Sequence, residues 1–176
     1  KILVKVIKAI ELDISNLVQW DAKRRGEKST SHYKLLIAFR EKNYKEIESI
    51  FYNFYKKSND EKSFNQIISI VGRRFDLLAY LYFLKNKFKY LPIAPKIFEK
   101  GLSLMGIDQK LNQKCSWENY LEYLENIKIV KLYLESKFDE NLDLLKAHSF
   151  IFTLAYEKFE KLDSVKRELE DFQVKF

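Results

Sequence analysis

Arg74-Phe75-Asp76-Leu77-Leu78-Ala79-Tyr80-Leu81-Tyr82-Phe83-Leu84 is the stretch that decides the fold. From Leu77 to Leu84 it is apolar nearly all round, so it predicts a helix enclosed on every side, at the centre of the molecule. A helix with no wet face needs other elements to wrap it. With only 4 Gly and 2 Pro in 176 residues, the chain has few turn devices, which favours long helices over many short strands.

Working outward in both directions, apolar residues recur at helical spacing. Towards the N-terminus, Phe64, Ile67, Ile68 and Val71 mark a helix that Gly72 stops. Ile47, Ile50, Phe51, Phe54 and Tyr55 form a stripe that Asn43 caps and Lys56-Lys57 ends, and Ser58-Asn59-Asp60 is a turn. Ser29 to Ser31 offer caps for a helix through Arg40. Ile2 through Val18 read as one helix, although Ile10, Leu12 and Ile14 also alternate as a strand would. Towards the C-terminus, Pro92 and Pro95 sit in a short connection. Pro95 suits the first turn of a helix carrying Ile97, Phe98, Leu102 and Met105, which Gly106 stops. Ser116 caps a long helix through Phe138, residues 140–162 predict another, and a last short one ends near Phe172. The expectation is an all-α single domain over residues 1–176, an irregular bundle of about seven or eight mostly antiparallel helices. Since the chain opens on Lys1 without an initiator Met, it reads as a piece of a longer protein.

Hydrophobic content of 47% with 15% aromatic supports a bulky core, and 32% charged residues cover it, which excludes a disordered class. No apolar run reaches the roughly 18–20 residues of a membrane span, so no membrane partner is expected. A lone Cys115 fits a reducing, cytoplasmic compartment. Two histidines and one cysteine without ligand-like spacing argue against a metal centre, and no cofactor is implied. His148 reads as a packed histidine on a helix. Arg25 and His32 match the Arg-x(4–6)-His element of HEPN-type helical ribonucleases, but fall in an early loop, where that family carries the pair near the start of a late helix. Glu135-Ser136-Lys137 with Asp108 upstream matches a nuclease pattern that needs a strand hairpin, while the expected element is a helix.

The formal charge of +7 is uneven: residues 1–100 carry 21 Lys and Arg against 11 Asp and Glu, and residues 101–176 carry 11 against 14. A basic half suggests a polyanion-facing surface, against the plain alternative of lysine as a solubiliser of helix faces. The candidate cations are Lys23, Arg24, Arg25 and Lys28, Lys56-Lys57, Arg73 and Arg74, Lys85, Lys87 and Lys89, with Lys96 at the start of the Pro95 helix. Arg73-Arg74 near a helix start opposes the helix dipole, which hints at a phosphate or at an acidic partner such as Glu118.

The segment Arg74 to Lys85, then Tyr90-Leu-Pro-Ile-Ala-Pro95, Phe98 and Cys115-Ser-Trp-Glu-Asn-Tyr120, resembles a helical region that precedes the C-terminal HNH nuclease module of bacterial restriction-type endonucleases. The resemblance spans residues 73–120 and contains no catalytic residue. No HNH motif follows, since His148 has no second histidine and no Asn arranged for it. It implies a DNA-recognition or accessory part of a restriction or defence protein, partnered by a nuclease module or subunit. The expected function is therefore nucleic-acid binding, with double-stranded DNA the foremost partner, by phosphate neutralisation from residues 23–28 and 85–89 and approach of helix 95–105 to a groove. The alternatives are a helical protein-interaction scaffold and the HEPN-like ribonuclease using Arg25 and His32.

Overall fold

The computed structural model describes residues 1–12, 26–42, 44–57, 59–138, 141–156 and 171–172. Among them it forms eight α-helices and no strand: α1 (Ile2–Ile10), α2 (Tyr33–Arg40), α3 (Lys45–Lys56), α4 (Asp60–Val71), α5 (Phe75–Lys85), α6 (Pro95–Leu104), α7 (Trp117–Phe138) and α8 (Leu144–Tyr156), with a 3-10 turn at Glu27–Ser29. The all-α bundle is as the periodicity predicts. Asp171 and Phe172 also carry helical backbone, and the Phe172 ring lies 6.0 Å from that of Tyr133.

α5 is the hub. Phe75 and every residue from Leu77 to Tyr82 are buried, and the rings of this helix reach its neighbours. Tyr80 donates to the Ala9 carbonyl at the end of α1 (2.9 Å). The Tyr82 ring meets Phe54 of α3 at 4.8 Å and Tyr120 of α7 at 5.7 Å. Phe64 of α4 packs edge-on to Phe75 at 6.3 Å and lies 6.2 Å from Tyr120. Trp117 and Tyr90 complete this aromatic centre, each within about 6.3 Å of Tyr82 or Tyr120. Edge-to-face ring pairs of this kind contribute about 0.5–1.5 kcal/mol beyond area burial. On one side of α5, α1 packs on α2 and α3, and α4 on α2 and α3; on the other, α8 packs on α6 and α7.

The caps follow local chemistry. The Asn59 side chain accepts from Lys62 N (3.0 Å) at the start of α4, and Gly72, at φ 81°, ends it in a conformation that L side chains avoid. Pro95 opens α6. Ser116 Oγ accepts from Asn119 N (3.2 Å), and Asp143 Oδ1 from Lys146 N (2.7 Å), so α8 starts at Leu144 rather than at 140. Residues 157–162 lie outside the described residues.

Two boundaries differ from expectation for tertiary reasons. α1 stops at Ile10, not Val18: Tyr80 takes the Ala9 carbonyl, and Glu11 turns out to place its carboxylate 2.8 Å from His32 Nε2. Residues 13–18 lie outside the described residues. α2 starts after His32, and the hydroxyl of Ser31 caps nothing because it donates to Asp76 and accepts from Arg74. Tyr44 occupies the N-cap position of α3, and Asn43, expected there, lies outside the described residues.

The two prolines belong to an extended strap, Tyr90 to Ala94, most of it buried. Buried backbone carbonyls must find donors. Tyr120 Oη donates to Leu91 O (2.8 Å), Tyr123 Oη to Pro92 O (3.2 Å), and His148 Nε2 lies 3.0 Å from the same Pro92 oxygen. A second polar anchor sits behind α6. Gln109 and Asn119, both buried, bond to each other through Gln109 Nε2 and Asn119 Oδ1 (2.9 Å), and Asn119 Nδ2 donates to the carbonyls of Lys110 and Lys114.

Candidate nucleic-acid interface

Asp60, the first residue of α4, organises the basic surface. Lys85 Nζ at the end of α5 is 2.6 Å from its Oδ1, Lys89 Nζ is 3.3 Å from its Oδ2, and Tyr90 Oη bonds the same oxygen. Lys85 also donates to the Lys57 carbonyl (3.4 Å), which draws the C-terminal end of α3 against the turn 86–89. Burial pushes the Asp60 carboxyl up, but the hydrogen bonds from Lys85 and Tyr90, the Lys85 charge and the bond from Lys89 outweigh it and hold it below the ordinary value. Burial, and then the bond to Asp60, push the Tyr90 hydroxyl up to about 12.

Three short segments thus bring Lys56, Lys57, Lys85, Lys87 and Lys89 to one place, with Asp60 largely enclosed beneath them. Lys85 is not a free loop cation, as expected of it, but a structural one: it is mostly covered, bonded to Asp60, and stacked 4.8 Å above the Phe54 ring. Lys56, Lys57, Lys87 and Lys89 remain exposed.

The turn itself is built on Asn86. Its side-chain oxygen accepts from Phe88 N (3.0 Å), and its carbonyl accepts from Lys89 N (3.1 Å) and Tyr90 N (3.0 Å). This leaves Phe88 standing out, 81% exposed, with the half-exposed Leu84 of α5 and Leu145 of α8 at its sides. In the sequence Asp60 reads only as a turn residue, and Phe88 has no assigned role. An aromatic residue alternating with lysines in Lys85-Asn-Lys-Phe-Lys89 was the available signal for Phe88.

The other candidate cations are placed elsewhere. Arg74 Nη2 donates to Ser31 Oγ (2.8 Å), and its Nε is 3.6 Å from Asp76. Its acidic partner is therefore Asp76 and not Glu118. Asp76 lies in the first turn of α5, where a carboxylate offsets both the arginine and the positive end of the helix dipole. Glu118 serves its own helix: a bond to its own backbone N–H, and then one from Ser116, hold its carboxyl low. Arg73 is exposed next to Arg74, and the Ser31 bond ties this corner to the turn that carries exposed Lys28. Lys28 and Arg73 thus lie towards the N-terminal end of α5 and Lys85 to Lys89 at its C-terminal end. A helix of the 11 residues of α5 spans about 16 Å. Lys96 is exposed on the first turn of α6. Lys23, Arg24 and Arg25 lie outside the described residues.

Groups suggestive of catalysis are engaged structurally. His32 is fully enclosed, its Nε2 held by Glu11, so its ring presents no surface to a scissile phosphate. Glu135 is paired with Lys131 (2.8 Å) and accepts from Leu142 N (2.9 Å), while Asp108 pairs with Lys110 (2.6 Å). Burial pushes the Cys115 thiol up to about 12, against reactivity at neutral pH. Among the described residues, no three His, Cys, Asp or Glu side chains gather as a metal site would require, and no helix is long and apolar enough to cross a membrane.

Comparison with known proteins finds no family model, no curated protein and no solved structure that matches the chain.

Proposed function

We propose that this chain is a nucleic-acid-binding module that grips phosphates with the lysines gathered around Asp60. The observation that supports it most is the convergence of the α3 end and the 85–89 turn, distant in sequence, into one cationic surface. Like charges repel, so bringing them together costs stability that a polyanion would return. Duplex DNA is the partner implied by the resemblance of residues 73–120 to the region preceding the nuclease module in restriction-type endonucleases. On this reading any cleaving centre is supplied by another module or subunit.

The test is the salt dependence of duplex binding, measured by fluorescence anisotropy. Each neutralised phosphate on B-DNA contributes about 0.9 to the slope of log K against log salt. Replacing Lys57, Lys87 and Lys89 with Ala should flatten that slope by up to ~3 if all three touch phosphates. An unchanged slope overturns the proposal. The exposed Leu84, Phe88 and Leu145 favour a second reading, a helical scaffold that docks a protein. It predicts a partner whose binding survives high salt.

A further inference from the structure

We propose that Phe88 is a base-stacking residue, and that the cleft between its turn and the start of α8 receives one unpaired base. The inference rests on the nucleic-acid reading above and narrows its substrate to a strand with unpaired bases, either single-stranded or at an interruption in a duplex.

Four features of the turn carry it. First, Phe88 is the most exposed large apolar side chain among the described residues. Second, it cannot retreat, because Asn86 fixes the turn with three hydrogen bonds and the Asp60 contacts of Lys85, Lys89 and Tyr90 anchor both ends. An aromatic ring held in water on a fixed turn is a stacking platform without a stack. Third, lysines flank it: Lys87 Nζ is 5.2 Å from the ring centroid, and Lys89 follows directly. A base on the open face of the ring would bring its phosphates to these two ammonium groups. This pairing of an aromatic face with a cationic rim is what recognition of single strands requires, since every base has a π-face and every linkage a charge.

The fourth feature is the cleft. It is lined by Lys87, Phe88, Asp143, Leu144 and Leu145, with a volume of about 200 Å³. That is below the roughly 300–1,000 Å³ typical of sites that enclose a whole small-molecule ligand, and suits a single ring system. Its walls are apolar except at Lys87 on one side and Asp143 on the other, whose carboxylate would repel a phosphate and accept a hydrogen bond from an exocyclic amine. The polarity therefore orients the nucleotide, with its base towards Leu144 and Leu145 and its phosphates towards Lys87 and Lys89. A perfect duplex, with its bases stacked inside, can reach the lysines but cannot fill this cleft.

The experiment compares a single strand, an intact duplex and a duplex with a short single-stranded gap, each carrying one fluorescent adenine analogue whose emission is quenched by stacking. The proteins are the wild type, Phe88→Ala and Phe88→Trp. With wild type, the single strand and the gapped duplex should bind more tightly than the intact duplex and show quenching. Phe88→Ala should weaken single-strand binding by about 5-fold to 150-fold, the range set by loss of one aromatic–base stack, abolish the quench and leave the salt slope unchanged. Phe88→Trp should keep both tight binding and the quench. If Phe88→Ala binds the single strand as well as wild type does, or the intact duplex binds as tightly as the gapped one, the stacking proposal is wrong. A lysine-dependent salt slope would in that case leave the nucleic-acid reading standing. If wild type binds none of the three at low salt, both fall.

Discussion

His148 offers the sharpest test of how α8 is held to α6 and to the strap. Its ring is buried, tilted against the Phe98 ring with centroids 4.4 Å apart, and its Nε2 is 3.0 Å from the Pro92 carbonyl. A carbonyl only accepts, so Nε2 carries the proton in the neutral ring. Burial, the dominant cause, pulls its pKa from 6.5 down to about 4, with the Pro92 bond opposing it. Because the folded value is the lower one, the unfolded chain takes up a proton first as pH falls. The neutral ring therefore costs nothing above about pH 6.5, and stability is lost progressively between about pH 6.5 and pH 4. The full difference corresponds to about 3 kcal/mol, of which about 2 kcal/mol should go between pH 7 and pH 5. Asp60, whose carboxyl is held low, loses its contribution only further down, as pH falls through its folded value. The assay is urea unfolding followed by circular dichroism at pH 7, 6 and 5 (on the order of one unit apart, the spacing that resolves a single titration), for wild type and His148→Gln. The wild type should lose stability over this range. His148→Gln, which can still donate to Pro92 but cannot ionise, should be less stable at pH 7 and much flatter. A variant that keeps the wild-type slope would refute the assignment.

Three further outcomes are expected. Gly101→Ala would put a Cβ 2.5 Å from the Ile151 carbonyl oxygen, a backbone atom that cannot rotate away, so α6 must shift from α8. The gain of about 1 kcal/mol in helix propensity should be outweighed by overpacking, for a net loss of about 1–2 kcal/mol, and a raised melting temperature would contradict the close helix approach. Leu78→Ala, at a fully buried position of α5, should cost about 2–5 kcal/mol in denaturant unfolding, and a cost under about 1 kcal/mol would remove α5 from the centre. Lys85→Ala, which leaves the Asp60 carboxylate short of its main partner, should cost about 1–2 kcal/mol, whereas Lys87→Ala should stay within about 0.5 kcal/mol. Equal effects of the two would undo the distinction between a structural and a free lysine.

How much of this was legible depended on how local the determining contacts are. α5 and α7 stand out in the sequence because one is apolar all round and the other holds a helical period through Phe138. The ends of α1 and α2 do not. α1 stops where Tyr80 takes its carbonyl and Glu11 turns to His32, and the Ser31 hydroxyl leaves its expected cap for Asp76, far along the chain. Periodicity carries no record of such partners. The lysines of the candidate interface were visible as residues, but not their division into Lys85, which holds Asp60, and its exposed neighbours. That division depends on α4 meeting the end of α5. Asp60 read as a turn residue because its ligands are 25 to 30 positions away. Phe88 is visible in the sequence, but only the turn around Asn86 shows that it stands out into solvent.

The strap from Tyr90 to Ala94 sets an order of events during synthesis and folding. Its buried oxygens wait for donors that the ribosome makes later, at separations of 29 residues for Tyr120, 31 for Tyr123 and 56 for His148. Until α7 and α8 exist, water must serve those carbonyls, and the strap has no helix or sheet partner to hold it straight. The adjacent helices α3 and α4 can meet through a short loop in the meantime, because closing a loop costs less entropy when fewer residues separate its ends. The strap, which carries both prolines, is thus expected to settle late. Its amides should gain protection from hydrogen exchange together with α8, in a single step, after those of α3 and α4.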